Sequence, residues 1–575
     1  MNQRASRKLG SVLRLGLLGG LVALYLCLVG IVGTFSERDV IDRMLTLGHT
    51  LLFLTALGVG YLGARELATP TRHPHAGHAV DHHLPRVGMS LLAGALAGAV
   101  TGASLSFLLI LGGLVNLRAV FLNASPLLYN VLTLGLGPAH SWVPLVGGVV
   151  LGMTGAVLYI LPVRVRSPLI WGATTVLAAG LFAEVLRVIL VAWPGWPSDL
   201  ASFLFGFEGL TLPGVVAVFV MVSGGIALVS ARRAAVYERI EQLPPAGKTA
   251  LRFAGLGLLL VVVAVLPLVS GVFIAQVIVL IGLYALMGLG LNVTLGFAGL
   301  FDLGFVAFFA IGAYTVGLLT STGEHGIAGW PFWAALPVAV LAAMIAGVFL
   351  GMPVLGIRGD YLAIATLGFG EIVRLLVGSD FLRPYLGGSF GILAIPKPWI
   401  GNIELVGPQQ LYYLVVIGSV LAAFIALRLR DSRLGRAWMA IREDEDVAEA
   451  LGVNLVQTKL LAYSLGAAFA GLGGAIFATM VSSIFPHSMN LLVSINVVAL
   501  LIVGGMGSIP GVIVGAAFLI GLPELFREFS EYRYLFYGAA LIVMMLSKPE
   551  GLWPSAVTRR ELHAEEDLVL TDNAR

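Results

Sequence analysis

GLGLNVTLGFAGLFDLG occupies residues 288–304, and the reading of this stretch decides the fold. It continues an apolar run that begins near residue 274, yet it carries five glycines and one acid, Asp302. A run of about 20 apolar residues spans the hydrocarbon core of a bilayer as a helix. Breaks inside such a run are tolerated only where protein or a water-filled path satisfies the freed backbone groups. Discontinuous helices of this kind point to a transport path. A second break, IVGGMGSIPGVIVG, stands at 502–515. The two together predict an all-α, polytopic transmembrane helical bundle with Gly/Pro-broken helices.

The rest of the chain agrees with that reading. Hydrophobic residues make up 58% of 575 positions and mean hydropathy is +0.96, above the roughly 45–50% apolar content of soluble domains. A β-barrel needs short alternating segments, whereas these runs are continuous. The 73 glycines suit helices that approach closely in lipid. Cys27 is the single cysteine, which excludes an intrachain disulfide and any cysteine-built metal site. A net charge of +3 fits the basic bias of inner loops and gives no sign of a nucleic-acid partner; the lipid bilayer is the partner that the composition implies.

Candidate spans in the first part lie near 13–33, 44–64, 88–113, 143–162, 168–191 and 214–231. Basic residues mark cytoplasmic loops. Arg4, Arg7, Lys8 and Arg14 place the N-terminus in the cytoplasm, and the alternation then holds through six spans. The N-terminal run reads as an uncleaved first span rather than a signal peptide. Residues 232–250, RRAAVYERIEQLPPAGKTA, read as a polar cytoplasmic linker, dividing an N-terminal membrane region, 1–240, from a second, 241–575. Further apolar stretches follow near 252–272, 274–295, 300–320, 331–355, 361–378, 411–427, 458–480, 491–522 and 533–547.

Charged residues inside apolar runs cost about 2.5–3.5 kcal/mol each on insertion scales and are functional by default. Glu184 with Arg187, and Glu371 with Arg374, each lie three apart on one helical face, where they can neutralise each other. Asp302 stands beside the glycine break. Gly247-Lys248-Thr249 resembles the end of a phosphate-binding loop, but Gln242 stands where the pattern needs glycine, so ATP is expected on another chain. The loop HPHAGHAVDHH at 73–83 reads as a flexible cytoplasmic loop, its spacing too loose for a defined metal site. No catalytic constellation and no metal site are expected.

One dense mixed-charge segment interrupts this apolar chain: LGRAWMAIREDEDVAEALGVN, 434–454. Leu434, Trp438, Ile441, Ala448 and Leu451 recur at helical spacing, with the run Glu443 to Asp446 turned largely away. Gly452 stands where a helix C-cap wants positive φ. The segment, within a cytoplasmic loop near 428–459, reads as a short amphipathic helix whose apolar face needs cover. An acidic run is repelled by anionic headgroups, so that cover is expected to be a protein partner.

Four ordered segments carry a family likeness. LNVTLGFAGLFDLGFVAFFAIGAYT (291–315), RGDYLAIATLGFGEIVRLL (358–376), GRAWMAIREDEDVAEALGVN (435–454) and VGGMGSIPGVIVGAA (503–517), followed by YGAALIVMMLSKPEGLW (537–553), resemble the signatures of the membrane permease subunit of bacterial ABC importers for branched-chain amino acids. The resemblance covers about residues 275–552, nearly half of the chain.

The resemblance implies a multi-pass permease of the bacterial inner (plasma) membrane without a catalytic site. Its implied partners are ABC ATPase subunits, a second permease subunit and an extracytoplasmic solute-binding protein. No cofactor is implied beyond ATP bound by the partner subunit. In such importers a pattern Glu-Ala-Ala, three residues, Gly forms the coupling helix that docks on the ATPase. Here Asp446-Val447-Ala448 and Gly452 stand in for it, so Trp438, Ile441, Arg442, Glu443, Asp446, Ala448, Leu451 and Gly452 are the candidate coupling residues. Asn292, Thr294, Gly296, Gly299, Asp302 and Glu371 are the candidate path residues.

There are departures from the family pattern. Family members commonly read Gly-Gln-Leu-Ser-Leu-Gly-His where this chain has Gly299-Leu300-Phe301-Asp302-Leu303-Gly304-Phe305. The first 240 residues exceed the usual permease; 161–190 faintly resembles the sister permease, with Phe-x-Glu-x-x-Arg in both 182–187 and 369–374. Two alternatives stay open: a permease for urea, short amides or another small polar solute, and an ATP-independent secondary transporter. A membrane enzyme lacks its clustered reactive side chains here.

Overall fold

A chain immersed in lipid must satisfy each backbone N–H and C=O internally, and this one does so almost entirely as helix. The computed structural model describes residues 2–68, 87–137, 139–191, 196–241, 244–354, 356–357, 359–525, 527 and 533–555. Among these, eleven helices are long and apolar enough to cross a membrane, or twelve if one bent pair counts as a span. The protein is a polytopic helical bundle; its β-structure is two small two-stranded sheets. The His-rich loop 73–83 lies outside the described residues. The chain divides into two units, Met1–Leu258 and Leu259–Arg575. The polar stretch 232–250 is helical up to Glu241 and again from Pro245, so Gly247-Lys248-Thr249 lies within a helix and not on a phosphate-binding loop.

In the first unit, α1 (Asn2–Leu28), α2 (Leu47–Ala68), α3 (Val87–Leu114) and α4 (Val143–Ile160) pack against one another. The tightest seam joins α3 to α4. Gly94, Gly98 and Gly102 recur every four residues and so share one face, which meets Pro144, Gly148 and Gly152. A Cβ on Gly98 would run into the Gly148 carbonyl, and one on Gly152 into the Gly94 carbonyl. With no hydrophobic drive between helices in lipid, such close backbone packing is a main source of association.

The run expected to span 168–191 is not one straight helix. It divides into α5 (Val163–Leu181) and α6 (Ala183–Val191), bent by 75°. The bend falls beside Gly180, where the short strand Asp39–Ile41 packs so closely that a Cβ would lie 2.8 Å from the Val40 carbonyl. Uniform hydrophobicity hides such a turn. Glu184 and Arg187 have contacts with other parts of the chain: the Glu184 carboxylate lies 4.0 Å from Arg38, and Arg187 donates to Gly206 O. The last helix wholly within this unit, α7 (Leu212–Glu241), packs along α5.

The next helix, α8 (Pro245–Val269), stops at Ser270 and Gly271, the latter at φ +76°. In the second unit then come α9 (Gly271–Leu291), α10 (Val306–Thr320), α11 (Phe332–Val354), α12 (Asp360–Gly378) and α13 (Pro408–Arg430). After a polar segment follow α14 (Arg433–Glu443), α15 (Glu445–Ala450), α16 (Leu455–Val481), α17 (Leu491–Gly504), α18 (Ile509–Ala516), α19 (Leu522–Leu525) and α20 (Arg533–Ser547). The apolar run 491–522 is therefore divided between α17 and α18. The axis is α16, with 67% of its most apolar window buried and α9, α10 and α11 packed around it. Lys397, at the end of the unit opposite α14, donates to the last-turn carbonyls of Thr479 and Met480 on α16. Burial there pushes its ammonium below the usual lysine value, with Glu404 pulling the other way.

Two changes test this packing. Gly98→Leu in the α3–α4 seam is expected to lower stability by about 1–3 kcal/mol or more through overpacking. Lys397→Met, which strips the C-terminus of α16 of a charged donor, is expected to cost about 1–2 kcal/mol. Thermal unfolding of the full chain in mild detergent reads both.

Candidate functional site

The site starts where α9 ends. Its last turn widens into a π-helical stretch, Asn292–Phe297, that buries Asn292 and Thr294 completely. The helix stops at Gly299, whose φ of +73° is readily adopted only by glycine, and Leu300 N closes the turn on Thr294 O at 2.9 Å. The chain then runs without helix to Val306. From there α10 has only 15 residues, about 22 Å of length, short of the ~30 Å hydrocarbon core.

The exposed amides at the start of α10 are met by three side chains. Gly304 N donates to Asp302 Oδ1 at 2.8 Å, Leu303 N to Thr366 Oγ1 at 3.0 Å and Val306 N to Ser494 Oγ at 3.0 Å. Asp302 is fully buried, and its carboxyl group sits at the positive end of the helix dipole. Its Oδ2 has no hydrogen-bond partner, and neither does the buried hydroxyl of Tyr463.

The second break stands against the first. Between α17 and α18 the chain turns through Gly505 and Gly507, at φ +110° and +77°, and Gly507 N donates to Asn292 Oδ1 at 2.9 Å. The C-terminal segment closes the same loop: Leu552 N donates to Val503 O at 2.8 Å and Trp553 N to Gly504 O at 2.9 Å. The likeness at 503–517 and that at 537–553 thus mark two sides of one structure.

The polar segment reaches into this junction through Arg442. Its Nη1 donates to Gly296 O at 2.7 Å, giving a charge-assisted partner to a carbonyl that the π-turn leaves over. A Cβ on Gly299 would lie 3.0 Å from Arg442 Cγ, and one on Gly507 3.6 Å from Arg442 Nη1. Gly299 therefore lets the arginine lie against the first break, and Gly507 leaves it at ordinary contact distance from the second.

The segment itself is two helices, not the single one expected. Asp444 takes extended backbone and caps α15, accepting from Asp446 N and Val447 N. The expected apolar face divides accordingly. Trp438, Ile441 and Ala448 are buried by the chain itself, with Trp438 Nε1 donating to Thr458 O at 2.8 Å. Leu451 is 80% exposed, and Glu443, Asp446 and Gly452 are exposed beside it. The acidic run is not all solvated either: Glu445 meets the buried Lys459 at 2.7 Å. Gly452 has φ +89°, with Val453 N returning to Ala448 O at 3.0 Å, as its C-cap position requires.

The expected path residues fall in two places. Asn292, Thr294, Gly296 and Gly299 gather at the breaks, with Asp302 at the start of α10. Glu371 is on α12, paired with Arg374, whose Nε lies 3.0 and 2.9 Å from its two oxygens. Sequence reasoning passed over Thr366, Ser494, Lys459 and Tyr463. A hydroxyl or a lone lysine in an apolar run carries no pattern of its own, and Thr366 and Ser494 act across 63 and 188 positions of the chain.

Broken membrane helices joined to a polar helical segment define a membrane transport protein of the permease class. Residues 273–545 match the family described as "Branched-chain amino acid transport system / permease component", a match that lies wholly in the second unit. The high-affinity branched-chain amino acid transport system permease protein LivM of Escherichia coli K12 is 41% identical over 303 residues, covering 49% of this chain and 69% of that protein. LivH of the same organism is 25% identical over 288 residues, 47% of this chain and 90% of that protein. A probable LivM of Methanocaldococcus jannaschii is 22% identical over 324 residues, 49% of this chain and 93% of that protein. No solved structure matches. The chain belongs to the branched-chain amino acid permease family, and among the described residues six candidate membrane crossings precede the matched region if the bent pair is one.

The buried pair Glu445–Lys459 supplies a test of how the polar segment is held. Lys459→Met removes the buried cation that meets Glu445 and is expected to cost about 1–3 kcal/mol. Adding Glu445→Leu is expected to return most of that loss in denaturant titrations of the detergent-solubilised chain.

Proposed function

We propose that this chain is the permease subunit of an ATP-driven importer for branched-chain or other hydrophobic amino acids in a bacterial inner membrane, with its N-terminus in the cytoplasm. ATP is bound and hydrolysed by separate ABC ATPase subunits. A second permease subunit completes the path, and an extracytoplasmic solute-binding protein delivers the solute. The function of the relatives, high-affinity branched-chain amino acid transport, supports the substrate class.

The observation that carries the mechanism is the Arg442–Gly296 hydrogen bond. The exposed surface of α15 and its cap, with Asp446, Leu451 and Gly452, offers a face to the ATPase. Behind it, the buried Trp438 and Ile441 fix α14 to the bundle, and Arg442 touches both breaks. A push on the exposed surface therefore reaches the π-turn at Asn292–Phe297 through one side chain. An ATPase that binds this segment with different affinity in the two states of the path shifts their populations by that difference.

Leucine uptake by cells carrying the chain, compared with cells lacking it, tests the substrate; urea uptake in the same cells is the control. Arg442→Ala is expected to lower ATP-driven leucine uptake at least 10-fold while the protein stays in the membrane. Gly452→Ile, which forces a β-branched residue to φ +89°, a conformation it resists, is expected to do the same. Unchanged uptake by both variants overturns the coupling assignment.

A further inference from the structure

We infer that a cleft between α10 and α12 is the subsite at which Glu371, Arg374 and Tyr314 take the two charged ends of a zwitterionic α-amino acid. This rests on the importer reading above. Two cavities of about 10 Å³ each lie side by side there and share Val306, Gly370 and Met489. Arg374 lines one and Glu371 the other. The pair is not sunk in the core: their side chains are 31% and 41% exposed. Tyr314, by contrast, is 5% exposed and lines the cavity that Arg374 lines. Its buried hydroxyl has no hydrogen-bond partner, and such an orphan is unusual in a native protein.

The arrangement matches the ligand in charge and shape. A carboxylate takes a planar guanidinium in two parallel hydrogen bonds, and Arg374 places Nε and Nη2 on the Glu371 carboxylate in just this way. The Tyr314 hydroxyl supplies a further donor to the same carboxylate, and Glu371 accepts from the ammonium. Val306, Ala310, Val377 and Met489 offer the hydrocarbon side chain an apolar wall. The free pair thus neutralises itself and exchanges that contact for two with the solute, which avoids stranding either charge in an apolar span.

Each cavity now holds no more than about one water, so the solute enters when α12 parts from α10. A Cβ on Gly370 would lie 3.0 Å from Gly304 Cα, so backbone lies on backbone at that point, and the bond from Leu303 N to Thr366 Oγ1 is a polar tie that parting would break.

The test is photolabelling of the full chain in native membranes with photoleucine, the diazirine analogue of leucine, followed by peptide mapping, alongside leucine uptake. Labelling is expected on α10, α12 and the 486–491 segment, protected by leucine and not by leucinamide or isocaproate, which each lack one charge. Arg374→Gln and Tyr314→Phe are each expected to reduce that labelling at least 5-fold. The exchange Glu371→Arg with Arg374→Glu keeps an ion pair on the helix and guards against a fold defect; labelling and uptake are expected to fall with it as well. Uptake at the normal rate by the exchanged pair makes the pair structural and overturns the inference. Leucine uptake by the native chain with label elsewhere, or with undiminished label in the variants, also overturns it and leaves the importer reading standing. Leucine uptake that does not depend on the chain removes both.

Discussion

A helix that stops inside a membrane leaves carbonyls and amides that water cannot reach, and each must be given a partner by the protein. Two helices stop in this way, at Gly299 and at Gly504, and a single side chain lies against both ends. Arg442 bonds Gly296 O and packs on Gly299 and Gly507, while Asn292 ties the two breaks directly through Gly507 N. The rest of the second unit follows from this. The amides opening α10 draw in Asp302, Thr366 and Ser494, from three different parts of the chain. The polar segment is anchored by Trp438 so that Arg442 reaches its carbonyl. A change of state has to rearrange a small number of well-defined polar contacts and not a diffuse apolar core.

The first unit solves the same solvent problem in another way. Its α3 and α4 meet through glycines, carbonyl against Cα, with little side-chain volume between them. Such a seam has no polar joint that a partner could move. A marked departure from straight helices, the bend between α5 and α6, is beside the extended backbone of Val40.

The spans were legible because a run of about 20 apolar residues in lipid has few alternatives to helix. Breaks at 288–304 and 502–515 were legible too, because glycines in an apolar run announce them. What the sequence did not announce is what satisfies those breaks. Arg442 and Gly296 are 146 positions apart, and no periodicity links them. The bend inside 168–191 was hidden by uniform hydrophobicity. In 434–454 the acids looked like one solvated face, but Asp444 divides the helix by capping α15 and Glu445 turns inward to Lys459. Leu451 kept the helical spacing of a buried residue and is exposed, because the break at Asp444 resets the register of the face.

The bonds from Leu552 and Trp553 to Val503 and Gly504 have a consequence for biogenesis. Membrane helices enter the bilayer in the order of synthesis, and the loop at 504–507 is made long before its covering segment. When α17 and α18 have been inserted, the carbonyls of Val503 and Gly504 still lack their final donors. They acquire them only once residues 552 and 553 have left the ribosome, more than forty positions later. Until that moment the floor beneath Arg442 is unfinished. The junction between the two breaks is therefore closed by a segment made well after the helices it joins.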